Sequence, residues 1–195
     1  MSGGWQAAPR QPGQASAVAW PLLALRSAQM ALLEIPNENA LREATRFLDL
    51  SQSDEGARYG VSEPGGERTA TAGGLLGRAL LGREFGHPAM LRGTQQVRDW
   101  EFTAANLEFD YFATMLLRHQ NGEHWIPWHA IMRESLLGWQ EQEGHAAGSW
   151  NLAVDRRHAP GGPLYSTALA VMILEIYYRH LPIYGREAVL GSLGR

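Results

Sequence analysis

A unit that recurs three times clearly, and once in degraded form, constrains this chain more than any other feature. A glycine-aromatic turn (Gly4-Trp5, Tyr59-Gly60, Gly148-Ser149-Trp150) is followed by a small or hydroxyl residue and then by a helix-length apolar run. The runs begin at Ser16, Thr69 and Thr167, and more weakly at Asp110, so successive registers are offset by 53, 41 and 57 residues. A unit of this length buries little apolar surface alone, and stacking neighbours supplies the shared core.

Within each unit the apolar residues step by three and four, which is a helical period. Val18, Leu22, Leu25, Met30 and Leu33 predict a helix from Ala15 to Leu33, stopping before Ile35-Pro36 because the residue ahead of a proline is pushed out of the α region. A one-sided helix follows from Asn39 to Leu50, with Arg42, Glu43, Arg46 and Asp49 on its polar face. The same pairing recurs as Thr69 to Leu81 with Pro88 to Trp100, and as Leu107 to His119 with Trp125 to Gln140. A fourth inner helix runs from Tyr165 to His180, and a short outer helix is expected from Arg186 to Leu193. Alternation between helices apolar all round and helices apolar on one side predicts two layers, the inner covered by the outer. The segments Gln52 to Gly56, Ser62 to Gly66 and Arg157 to Pro163 carry turn chemistry without periodicity and read as loops. None is long enough to link domains, so residues 1–195 read as one all-α domain.

Composition narrows the functional classes. At 195 residues, 45% hydrophobic and 19% charged, the chain suits a globular domain, and its net charge of −3 gives no electrostatic reason to bind nucleic acid. All 17 basic residues are scattered arginines. The absence of cysteine removes disulfides, thiolate zinc ligands and thiol nucleophiles together. No apolar run reaches the roughly eighteen residues of a membrane span, and Met1-Ser2-Gly3-Gly4 lacks the pattern of a signal peptide. A cytoplasmic location is the expectation from these features.

The stretch from Arg133-Glu134-Ser135-Leu136-Leu137 through Gln142 to Gly148-Ser149-Trp150 resembles the QW-type repeat of squalene and oxidosqualene cyclases, in which a glutamine precedes glycine, any residue and tryptophan. The wider pattern is similar to bacterial proteins with prenyltransferase and squalene oxidase repeats, on Gly144 to Trp150, Gly162 to Ala170 and Leu174 to Pro182. The resemblance implies an α/α toroid, with Trp5, Tyr59, Trp150 and Gln142 as structural residues that clamp neighbouring units. The serine or threonine opening each inner helix is expected as its N-cap. About four pairs are fewer than the closed toroids of that family carry. The chain is therefore expected to be the C-terminal part of a larger toroid, with apolar surface around Trp20, Leu22, Ile173 and Ile176 at its open ends and self-association through them.

The chemistries of the resembled family need residues that are not spaced for them here. Its cyclases use a D-x-D-D acid, whereas no two of Asp49, Asp54, Asp99, Asp110 and Asp155 lie close enough to form that motif. Its prenyltransferases use an Asp, Cys and His zinc site, which a chain without cysteine does not reproduce. A noncatalytic binding or interaction module, taking an apolar small molecule or a protein partner and no cofactor, is the leading expectation. A divergent enzyme acting on an isoprenoid or other apolar substrate is the alternative, with His145, Asp110 and Asp155 as its candidates. Trp100, Phe109, Tyr111 and Tyr165 are the candidate ligand-binding aromatics. His119, Glu123, His124 and His129 near one loop, and His145, Asp155 and His158 near another, are the residues a metal would need, although helix-end and turn roles account for them without one.

Overall fold

In a computed structural model, residues 3–6, 11–34, 39–152 and 161–179 are described. Asp155, His158, His180 and the expected outer helix from Arg186 to Leu193 lie outside them. The described residues form seven α-helices: α1 (Ala15–Met30), α2 (Ala40–Ser51), α3 (Arg68–Leu80), α4 (Pro88–Asp99), α5 (Leu107–Gln120), α6 (Trp125–Gly138) and α7 (Gly162–Arg179). One short antiparallel ladder joins β1 (Gln52–Ser53) to β2 (Arg58–Tyr59). No helix among the described residues is long and apolar enough to cross a membrane.

The helices expected from periodicity within the described residues are all present. Alternate helices pack in a row, α1 on α3, α3 on α5 and α5 on α7, while α2, α4 and α6 each pack on the preceding member of that row. Helices α3 and α5 stand inside the row, and nearly every residue of both is buried. The ends of the row differ. Among the described residues α7 does not pack on α1 as the successive members pack on one another, and it leaves Leu164, Val171 and Tyr178 exposed along one face.

The apolar surface expected at the ends lies on other residues than Trp20, Leu22, Ile173 and Ile176. Leu22, Ile173 and Ile176 are fully buried in the common core and Trp20 is half-buried. On a helix the covered and outward positions differ by about 100° per residue, so the exposed stripe of α7 falls on Leu164, Val171 and Tyr178.

Three local expectations are corrected. Ser16, Thr69 and Thr167 do not cap their helices: α3 is capped by Glu67, whose carboxylate accepts from Ala70 N at 2.7 Å, and α1 by Gln14, whose side chain makes no capping bond. Thr69, one residue inside α3, accepts from Asn106 Nδ2 at 2.8 Å, and Asn106 in turn caps α5 through Phe109 N. The loop from Gln52 to Gly56 contains the strand β1, closed by a tight turn in which Asp54, Glu55 and Gly56 all have positive φ. Two-residue strands carry no readable alternation. Helix α7 begins at Gly162, three residues ahead of the expected start, with Pro163 in the first turn, where its missing N–H costs nothing.

The glycine-aromatic turns at Tyr59 and Trp150 behave as clamps, by bonds the sequence does not reveal. Tyr59 N donates to Thr71 Oγ1 at 3.1 Å, and that hydroxyl donates back to Tyr59 O at 3.2 Å. Trp150 and Thr167 make the same reciprocal pair at 3.0 and 3.4 Å. The Tyr59 hydroxyl accepts from Arg78 Nε at 3.0 Å, and Trp150 Nε1 donates at 2.7 Å to Leu136 O in the last turn of α6, a carbonyl that also accepts from Trp139 N at 3.3 Å. Gln142 does not clamp a neighbouring unit. It is exposed and donates within its own turn to Gln140 O at 2.8 Å. Gly74 carries no side chain because a Cβ there would lie 2.5 Å from the Tyr59 ring.

Candidate functional site

The two candidate catalytic residues that are described are split between core and surface. Asp110 is fully buried in the first turn of α5, where the positive end of the helix favours a carboxylate. His145 stands exposed on a one-turn 3-10 segment, Gly144–Ala146. Asp155 lies outside the described residues.

The candidate ligand aromatics divide between packing clusters. Trp100 and Phe109 meet edge-on at 6.0 Å, with the Arg68 guanidinium 5.5 Å from one ring centre and 5.7 Å from the other. Tyr111 stacks on Trp20 at 4.8 Å with only 8° between the planes, and Trp20 Nε1 donates to Glu108 Oε1 at 3.3 Å. Tyr165 is half-buried on α7. Trp100, Phe109 and Tyr111 fill the space between helices, each with another ring or an arginine within contact range.

The histidines disperse similarly. His119 is buried in the last turn of α5, Glu123 is exposed, and His129 is stacked between Trp125 at 5.1 Å and Tyr177 at 4.6 Å. Burial, with the nearby charges of Arg133 and Arg118, pushes the His129 imidazole below its ordinary pKa. Among the described residues no three potential ligands converge on a metal site.

One cleft does gather polar groups over an apolar floor. It lies between the end of α4 and the start of α6 and has a volume of about 300 Å³. Arg98 and Asp99 come from the last turn of α4, Glu101 and Phe102 from the connection, and His124, Trp128 and Ile131 from the beginning of α6. The connection turns sharply, with Glu101 N bonded to Arg98 O at 3.0 Å and Glu101 itself at φ 58°. A left-handed non-glycine residue costs on the order of 1 kcal/mol and persists only where its surroundings hold it.

The floor is rigid. Phe102 and Trp128 meet edge-on at 5.9 Å, both buried, and Trp128 Nε1 donates to Thr114 Oγ1 of α5 at 3.0 Å. The Thr114 hydroxyl donates in turn to Asp110 O at 2.6 Å. At the rim, Arg98 Nε and Nη2 donate to Asp99 Oδ1 at 3.1 and 2.6 Å, and Gln95 Nε2 joins them at 3.1 Å. The Arg98 hydrogen bonds, then the Gln95 bond and the charges of Arg98 and His124, hold the Asp99 carboxyl below its ordinary pKa against a smaller opposing effect of burial. All three donors converge on Oδ1, and Oδ2 has no donor among the described residues. A carboxylate with one open oxygen, beside a half-buried imidazole and above two aromatic edges, suits a ligand with a flat apolar body and a donor-bearing end.

Sequence reasoning reached His124 of this cleft and passed over Asp99, Phe102 and Trp128. Their only signal is that Arg98 and Asp99 end one helix while Trp128 begins the next, and a helix-end pair is normally solvated surface. No protein-family model, curated protein or solved structure matches the chain.

Proposed function

We propose that the chain is a noncatalytic binding module of the α/α toroid class, built from the aromatic-turn repeats of the squalene cyclase and prenyltransferase kind. The α4–α6 cleft is its ligand site, for a small molecule with an apolar ring and a cationic or hydrogen-bond-donating end. The observation that carries this reading is the open Asp99 oxygen above the Phe102 and Trp128 floor. The class assignment draws support from the row of alternate helices with their outer partners, and from the identical bonding of Tyr59 to Thr71 and Trp150 to Thr167. A cytoplasmic setting belongs to the same reading.

Titration with a phenylethylammonium salt, followed by amide and indole NMR shifts, tests the site. The Glu101, Phe102 and Trp128 signals move together, and Asp99→Asn weakens binding about tenfold, or about 1.4 kcal/mol. Shifts confined to other regions, or unchanged affinity in Asp99→Asn, sink the proposal. The divergent-enzyme alternative has one observation in its favour, the fully buried carboxyl of Asp110, since buried acids are frequent at catalytic sites. Product analysis after incubation with squalene separates the readings: a cyclic product dependent on Asp110 favours the enzyme.

A further inference from the structure

Arg26 is a cation enclosed by the protein with no ion-pair partner among the described residues. It lies near the end of α1 and is 2% exposed. Its Nε donates to Leu80 O at the C-terminus of α3, at 2.7 Å, and its Nη1 to Gln29 Oε1 at 2.5 Å. Both acceptors are neutral. The ion pairs among the described residues involve Arg78, Arg92 and Arg98, and none involves Arg26. Loss of water without a compensating charge pushes the Arg26 guanidinium below its ordinary pKa. A buried charge in this condition is costly, and the carbonyl end of α3 offsets only part of the cost.

The remaining edge of the guanidinium is not sealed. Nη2 has no acceptor among the described residues, and Arg26 lines a cavity of about 200 Å³ between α1, α2 and α3. The other described residues of its wall are Leu41, Arg42, Thr45, Leu80 and Leu81. No carboxylate is among them. Arg42 is exposed and has no hydrogen bond or ion pair among the described residues. Leu41 and Arg42 also belong to the first turn of α2, whose backbone N–H groups have no intrahelical acceptor. The cavity thus presents two unneutralised guanidinium groups and the positive end of a helix.

We propose that this cavity binds a compact oxyanion, a phosphate monoester or a carboxylate, held by Arg26 from within and by Arg42 at the rim. The anion supplies the charge that Arg26 lacks. This site is separate from the α4–α6 cleft and stands or falls independently of it.

Calorimetric titrations with inorganic phosphate and with acetate, each against chloride at constant ionic strength, test the proposal. At least one of the two gives a saturable heat that chloride does not, and the tighter one identifies the preferred chemistry. Arg42→Gln weakens that binding about tenfold, as expected for loss of a charge-assisted contact, and the bound anion shifts the amide signals of Leu41, Arg42 and Leu81. Arg26→Gln abolishes saturation; because Arg26 also bonds the end of α3, the exposed Arg42→Gln carries the decisive comparison. No saturable heat with either anion, wild-type affinity in Arg42→Gln, or amide shifts confined elsewhere would overturn the assignment.

Discussion

Replacing Thr71 by valine removes one hydroxyl and leaves the shape of the side chain nearly intact, so its cost isolates the clamp between the Tyr59 turn and α3. The hydroxyl accepts from Tyr59 N and donates to Tyr59 O, and both residues are fully buried. Tyr59 O keeps a second donor, Glu67 N at 3.0 Å, so the acceptor remains satisfied after the change. Tyr59 N does not. A buried donor left unpaired costs about 1–3 kcal/mol, and the lost bond to the carbonyl adds about 0.5–1 kcal/mol. The expected destabilisation is about 1.5–4 kcal/mol. At the Trp150 turn the same pair is only partly buried, so water reaches the orphaned groups and Thr167→Val costs about 1 kcal/mol or less. Urea denaturation with a common slope measures both. A loss below about 0.5 kcal/mol for Thr71→Val, or a larger loss for Thr167→Val, would refute the argument that desolvation sets the strength of the clamp.

Other positions give equally direct readings. Gly74→Ala places a methyl 2.5 Å from the Tyr59 ring and destabilises by about 1–3 kcal/mol or more, whereas Gly86→Ala, with open space around it, is near neutral by the same denaturation assay. The folded protein holds His129 below the pKa of 6.5 of a free imidazole, so the unfolded chain binds the proton more tightly; stability is full above that value and falls as pH drops through it. His129→Phe flattens that slope between neutral and mildly acid pH, and an unchanged slope rejects the assignment. The depressed Asp99 carboxyl contributes stability above the ordinary carboxylate range that is lost as pH falls through its folded value, and Asp99→Asn removes that part of the acid limb. Chelation leaves the melting temperature where it was, and a drop of many degrees would show that a metal supports the fold.

The helices were legible because their signal is local and repeated. Three- and four-residue spacing in Val18, Leu22 and Leu25, the proline that opens α4, and the glycine just after α3 act within a turn or two of themselves, and a chain read in order exposes them. The structural weight of Tyr59 and Trp150 was legible for the same reason, since both recur at one place in the unit.

The bonds that hold these units, and the sites, were not legible. Thr69 reads as an N-cap until Asn106, 37 residues later, arrives beside it. Trp100, Phe109, Tyr111 and Tyr165 read as one ligand-binding set until the packing of α1 against α5 gives Tyr111 to Trp20 and leaves Trp100 to Arg68. Asp99 and Trp128 become one cleft only when α4 and α6 are laid against α5.

By itself the sequence determined the number, type and near boundaries of the described helices, because periodicity and turn chemistry depend on neighbours along the chain. Tertiary structure alone decided which side chains share a cleft, and that Arg26 is buried without a counter-charge. Those properties depend on contacts tens of residues apart and on how much water the packed helices leave behind.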